Sequence, residues 1–414
     1  MNYLHFTLYC RGNCGLSNSI MSTELGVVAS FLLDRVLVLE GNVPPPANLV
    51  AYPGKGVTGR HHARVTDLVE MPVPWLEDSQ VDYDPSLAVV MSEGQVMDAV
   101  FPWPVSVDRT SKDFRQFARD RQHVLLETDE IRKARVVRPF PVASDGSALE
   151  NFGLYSYFFY LDPPTRSAVH ALLRRMRSKD PYAELARNVS ASLGRFNAVH
   201  LRRGDFKQTF GVTTRNRTPA EVIRVLDESF APDDTLLILT DERDDPFLRP
   251  ITAHFRRAVF ADHHILDHFR DDFFALPYHD SIVLAYLSQL IAADSIDFVG
   301  TMTSTFTSMI QRLRGNRGRP EPFKFLWNEL PDPDYPVTER GSHPPSDCVP
   351  LHPDGRLVEE YPGPYSWNRY NPRINPAWQR EWPESFLEHA SVDAGASPAD
   401  RPVMKEEPDM EPSL

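Results

Sequence analysis

"YLHFTLYCRGNCGLSNSIMSTELGVVASFLLDRVLVLE" runs from Tyr3 to Glu40 and holds three patterns in a row. Tyr3 to Cys10 is rich in β-formers. "RGNCGLSN" is a Gly/Asn/Ser loop, at whose end Ser17 or Asn18 can cap a following helix. Ile20, Met21, Leu25, Val28, Leu32 and Leu33 then recur at helical spacing, and Val36 to Leu39 is a short apolar run of the kind a buried strand needs. Strand, loop, helix and strand in that order make a βαβ unit, and a βαβ unit requires a parallel sheet.

The second half repeats the alternation. Ala198 to Leu201 reads as a strand and Pro219 to Phe230 as a helix capped by Thr218. Thr235 to Leu239 and Ala258 to Ala261 read as strands, Asp280 to Ala293 as a helix, Phe298 to Gly300 as a strand, and Ser304 to Arg314 as the next helix. Between Pro163 and Leu193 the chain is helical with a break near Asp180-Pro181. From Asn42 to about Phe140 prolines interrupt every pattern, and this stretch reads as decoration of a first domain. The expected division is a domain over 1–165, a second over 166–345, a proline- and aromatic-rich extension over 346–390, and a disordered acidic tail over 391–414. In the extension Trp367, Tyr370, Trp378 and Trp382 either stack on a sugar or pack on the first domain.

The net charge of -13 argues against nucleic acid as the partner, since such binders carry a broad basic surface. Three cysteines, Cys10, Cys14 and Cys348, make neither a disulfide framework nor a zinc pattern, and they fit a reducing, cytoplasmic setting. The first residues lack a basic, apolar leader, and no apolar run is long enough for a membrane span.

Two stretches bring charge and donors to strand ends, where ligands bind in open α/β sheets. "AVHLRRGDF", Ala198 to Phe206, delivers Arg202, Arg203 and Asp205 there. Arginine suits a phosphate because its planar fork donates two parallel bonds and keeps its charge. Adjacent residues leave a strand end in different directions, so one guanidinium can face a ligand while the other pairs internally, with Asp205 as the candidate partner. "FVGTMTSTFTSMI", Phe298 to Ile310, breaks a buried strand at Gly300 and opens a helix among hydroxyls near Ser304 and Thr305. The first turn of a helix offers free N–H groups and the positive end of a dipole, which favours an anion. The two stretches together suit a diphosphate. In the first loop Asn18 either bonds a ligand or caps the helix. "DHHILDH", Asp262 to His268, reads as a solvated loop. Asp262, His264 and His268 could ligate a metal, but the expectation is no metal, with arginine supplying the positive charge.

These motifs resemble the GDP-fucose-dependent O-fucosyltransferase superfamily, which includes protein O-fucosyltransferases, α-1,6-fucosyltransferases and nodulation fucosyltransferases. "GLSNS" with its helix and "RVLVLE", "VHLRRGDF", "ILTDE" and "FVGTMTSTFTSMI" are similar, in order, to the family's N-terminal loop and strand, its His-x-Arg-Arg motif, its strand end at Thr-Asp, and its C-terminal hydroxyl motif. The resemblance implies a GT-B fold, two Rossmann-like domains facing across a cleft. It implies GDP-fucose as donor, no metal requirement, and an acceptor that is a glycan, a peptide or a small molecule. It implies an inverting transfer in which Arg202 meets the diphosphate. Gly15, Asn18, His200, Arg203, Asp241, Ser304, Thr305 and Phe306 line the donor, and Asp205 and Glu24 are the candidates for a base. One departure stands out: the family often carries an acid for the guanine in the helix before the hydroxyl motif. That position falls at Ser288 here, with Asp280 and Asp294 out of register. Two rival readings stay open, a transferase of the same fold with another nucleotide sugar and a non-catalytic nucleotide-sugar or glycan binder.

Overall fold

The structure is a computed structural model. It describes residues 2–7, 15–40, 55–57, 63–81, 89–90, 133–138, 171–204, 218–242, 245–301, 304–317 and 324–326. Asp205, the three cysteines, residues 8–14 of the first loop, the extension with Trp367, Tyr370, Trp378 and Trp382, and the acidic tail all lie outside the described residues.

Strand β1 (Tyr3–Thr7), helix α1 (Leu16–Leu32) and strand β2 (Val36–Glu40) form the expected unit, with β1 and β2 parallel and paired from Tyr3–Val36 to Thr7–Glu40. Leu4, His5 and Phe6 are all buried, as a strand covered on both faces must be. The helix cap differs from expectation. Gly15 is the N-cap and makes no side-chain cap bond, while Ser17 and Asn18 lie inside the first turn. The proline-broken region supplies the rest of this sheet. After the short helix α2 (Val65–Leu68) come β3 (Trp75–Glu77), β4 (Val89–Val90) and β5 (Val136–Arg138). The strand order is β3-β2-β1-β5-β4, parallel throughout.

The second sheet follows helix α3 (Asp180–Leu193), where Pro181 falls in the first turn. Its missing N–H costs nothing there, so the expected break is a helix start. Next come β6 (Phe196–Leu201), α4 (Pro219–Asp227), β7 (Thr235–Thr240), α5 (Asp245–His254) and β8 (Arg257–Phe260). Thr218 and Glu221 cap α4 reciprocally. Then follow α6 (Ala261–His268), α7 (Arg270–Phe274), α8 (Ser281–Ala292), β9 (Phe298–Thr301), α9 (Thr305–Asn316) and β10 (Lys324–Leu326). "DHHILDH" is thus helix α6 rather than a loop, with Ala261, His264 and Ile265 buried one turn apart.

This sheet is also fully parallel, in the order β10-β9-β6-β7-β8. All six residues of β6 are buried, and they alternate between two cores. Ala198 joins Leu237 and Leu239 of β7 with α3, α8 and Met309 and Ile310 of α9. Val199 and Leu201 join Leu236 and Ile238 with α4 and α5. Helices therefore cover both faces of the sheet. Leu16 and Ile20 of α1 belong to the first of these cores, so the N-terminal helix packs into the same apolar cluster as the C-terminal helices.

Candidate functional site

The chain leaves β6 for β7 and β8 on one side, then returns to lay β9 and β10 on the other. The connections after β6 and β9 therefore depart in opposite directions. A crevice opens at such a switch point, outside the carboxyl ends of the two strands. The first residue past β6 is Arg202, and Ser304 follows β9 at the mouth of α9. The Arg202 guanidinium donates from Nη1 to Ser304 Oγ at 3.5 Å. The two elements that sequence marked for a diphosphate, 102 positions apart, thus meet at one edge.

The backbone under Arg202 is held by threonines on either side. Thr301 Oγ1, at the end of β9, donates to the His200 carbonyl (2.7 Å) and accepts from the Arg202 amide (2.9 Å). Thr240 Oγ1, at the end of β7, donates to the Leu201 carbonyl (2.6 Å). The two hydroxyls thus satisfy the carbonyls at the end of β6. Asp241 completes the arrangement. Its Oδ1 accepts from the amides of Arg203 (2.8 Å) and Gly204 (2.9 Å). Position 204 must be small, because a Cβ there would lie 2.8 Å from Asp241 Oδ2. The Asp241 carboxylate therefore shapes the loop that carries the arginines.

The two arginines part company as adjacent strand-end residues must. Arg203 is buried, ion-paired with Glu242, and its guanidinium carbon sits 3.9 Å from the centre of the Phe247 ring on α5. Among the described residues its internal partner is Glu242; Asp205, the candidate from sequence, lies outside them. Arg202, half-buried, is the one aimed at the helix mouth.

On the other wall, Thr307 Oγ1 accepts from the Thr301 amide (3.0 Å) and bonds His200 Nδ1 (2.7 Å). The His200 ring lies 4.5 Å from the Phe306 ring at 31°. Ser304 is fully buried and its carbonyl takes the Ser308 amide, while Thr305 is half-buried at the start of α9. Thr307 and Thr301 were missed as organising residues. The available signal was a β-branched polar residue at a buried position, Thr301 at a strand end and Thr307 in a helix, which needs a partner inside. Gly300 lets this wall close: a Cβ there would stand 2.1 Å from Thr307 Cγ2. Gly300→Ala should therefore displace Thr307 and cost about 1–3 kcal/mol in urea unfolding. Thr307→Ser in the same chain, which removes the clashing methyl, should recover part of that.

The remaining candidates lie on α1. Gly15 is exposed at its mouth, and Asn18 Oδ1 is buried without a donor among the described residues. Gln289 of α8 reaches both helix starts, donating from Nε2 to Ser17 Oγ (2.8 Å) and, at longer range, to the Phe306 carbonyl (3.4 Å). Glu24 sits in the α1–α9 contact, ion-paired with Arg312. Burial pushes its carboxyl above the ordinary range, and the Arg312 guanidinium opposes that shift.

Ser288 is buried with its hydroxyl on the Leu284 carbonyl (2.8 Å). Asp280 caps α8 through the amides of Ile282 and Val283. Asp294 is paired with Arg317. Among the described residues no three His, Cys, Asp or Glu side chains gather as a metal site. On α6, His264 Nε2 instead bonds Ser192 Oγ (2.9 Å). No helix among the described residues is long and apolar enough to cross a membrane.

No protein-family model and no curated protein sequence matches this chain. Among solved structures, it is similar to NodZ α-1,6-fucosyltransferase soaked with GDP-fucose, at 12% identity over 75% of this chain and 92% of that one, TM-score 0.41. It is similar to fucosyltransferase NodZ from Bradyrhizobium at 12% identity over 75% and 93%, TM-score 0.41. It is similar to POFUT1 in complex with GDP-fucose at 15% identity over 78% and 97%, TM-score 0.42.

Proposed function

We propose that this chain is an inverting glycosyltransferase of GT-B architecture that moves fucose from GDP-fucose to a hydroxyl acceptor on a glycan, a peptide or a small molecule, without a metal. The observation that carries the reading is the meeting of Arg202 with Ser304 at the switch point of the second sheet. The proposed domains are 1–165 on the acceptor side and 166–345 on the donor side, followed by the 346–390 extension and the 391–414 tail.

The chemistry follows from the charges. As the bond from the anomeric carbon to the β-phosphate oxygen breaks, its electron pair stays on the phosphate and the sugar becomes oxocarbenium-like. Arg202 and the N–H end of α9 face the oxygen where that negative charge develops. Their interaction strengthens along the reaction, and so lowers the barrier more than it tightens binding. The acceptor oxygen bonds the anomeric carbon from the opposite face, and its proton leaves to a base. Asp205, the carboxylate of the arginine motif, is our candidate for that base, since Glu24 is engaged with Arg312. Gly15 and Asn18 meet the sugar side of the donor, His200, Thr305 and Phe306 the nucleotide side. Arg203 and Asp241 act by shaping the loop under Arg202.

The buried serine at position 288, where an acid would meet guanine, favours a second reading: a transferase of the same fold that uses another nucleotide sugar. One experiment separates the two. GDP and GDP-fucose should raise the melting temperature of the full chain by mass action, UDP-sugars should not, and EDTA should leave the shift intact. A shift with UDP-sugars alone moves the assignment to the second reading. No shift with any nucleotide removes both.

A further inference from the structure

Helix α8 is apolar almost all round, yet in its C-terminal half it carries Gln289, which is fully buried. An amide there is costly unless it is bonded. Its Nε2 donates to Ser17 Oγ in the first turn of α1 and to the Phe306 carbonyl in the first turn of α9. Ser17 adjoins Asn18, and Phe306 is two residues from Ser304. A second tie lies further along the same two helices, between Glu24 and Arg312. Glu24 is seven residues beyond Ser17 and Arg312 six beyond Phe306, about 10 Å along each helix. Two ties met in the same order mean that α1 and α9 run side by side in one direction. Their N-terminal ends, where a helix leaves its first N–H groups without intrahelical partners, therefore open at the same place.

We propose that Gln289 is a positioning residue. It sets the start of α1 against the start of α9 and so fixes the distance between the sugar side and the phosphate side of the donor site. The inference rests on the reading of that site given above. Gln289 touches no reacting atom; it acts through Ser17 and Phe306. A hydrophobic residue of similar size would fill the volume but join neither helix.

The test uses the full chain, with Gln289→Met and Ser17→Ala. Three quantities are read: amide hydrogen exchange at residues 17–20 and 305–309, GDP affinity by calorimetry, and GDP release from GDP-fucose. In Gln289→Met, exchange should rise at both helix starts while β6 and β7 stay protected. GDP release should slow about tenfold to a hundredfold, the scale of a small misplacement of reacting groups. GDP affinity, anchored by Arg202, should fall by much less than GDP release slows. Ser17→Ala should slow GDP release in the same sense, and the double variant should be no slower than Gln289→Met alone. Unchanged exchange at either helix start overturns the proposal, as does a loss of turnover matched by equal losses of GDP affinity and melting temperature. Should Gln289→Met fail to fold, Ser17→Ala decides: normal turnover overturns the tie, slowed turnover with normal GDP affinity supports it. A wild-type chain that neither binds GDP nor turns over GDP-fucose defeats the donor reading instead, and the exchange arm still decides whether Gln289 joins the helices.

Discussion

Arg202→Ala should abolish transfer and weaken GDP binding while leaving the melting temperature nearly unchanged. The backbone at 202 is held through its amide by Thr301 Oγ1, a bond that does not depend on the side chain. The guanidinium projects to Ser304 at the mouth of α9, where the proposed diphosphate lies. Removing one donor that faces a developing oxyanion costs about 3 kcal/mol or more, a hundredfold or greater fall in rate. GDP release from GDP-fucose, calorimetric GDP affinity and a thermal melt check the three parts. The neighbouring substitution should behave in the opposite way. Arg203→Ala leaves Glu242 buried without its ion pair and strips the cation from the Phe247 ring. Breaking one side of a buried pair costs about 3–5 kcal/mol, so the loss should fall on stability. An Arg202→Ala protein that is unfolded, or fully active, would remove Arg202 from the mechanism. An Arg203→Ala protein as stable as the wild type would remove the structural role of its partner.

What sequence disclosed and what it hid follow from how far each feature reaches along the chain. The βαβ unit from Tyr3 to Glu40 and the alternation after Ala198 were legible because buried parallel strands are short apolar runs and the covering helices keep their period. β3, β5 and β10 have three residues each, too few to show any pattern among prolines. Helix α6 was hidden because two of its eight residues are acids and three are histidines. Its buried face uses His264 where a periodicity argument looks for an aliphatic residue. At the site, the Arg202 and Ser304 segments were legible because each sits where a strand visibly ends. That one guanidinium turns inward was legible too, but its partner was not. Glu242 lies 39 positions away and is brought close by strand pairing alone. The Gln289–Ser17 bond spans 272 positions, and nothing local in either helix announces it. An amide in an apolar helix was the one available hint.

The Glu24–Arg312 pair gives the second large effect. Both side chains are buried where α1 packs on α9, and Arg312 is among the largest fully buried side chains described. Arg312→Met should cost about 3–5 kcal/mol at neutral pH, because Glu24 is left as a buried carboxylate without its cation. The loss should also depend on pH, in a direction that burial fixes. Burial raises the Glu24 pKa above its ordinary value of 4.5, and Arg312 works against that rise. Deleting Arg312 widens the gap between the folded and unfolded pKa. Between those two values the folded state holds the proton more tightly, so stability falls as pH increases. The variant's deficit against wild type should thus be smallest well below pH 4.5, where Glu24 is neutral in both states, should grow as pH rises past 4.5, and should reach its full size once pH exceeds the raised folded value. Urea midpoints of both proteins across pH 4.5 to 8 measure it. Glu24→Gln in the Arg312→Met chain should recover much of the stability and flatten the difference, since a neutral amide carries no charge to desolvate. A deficit that stays constant with pH, or a double variant no better than the single one, would mean that the lost stability is packing around the Arg312 stem and that no charge at Glu24 is involved.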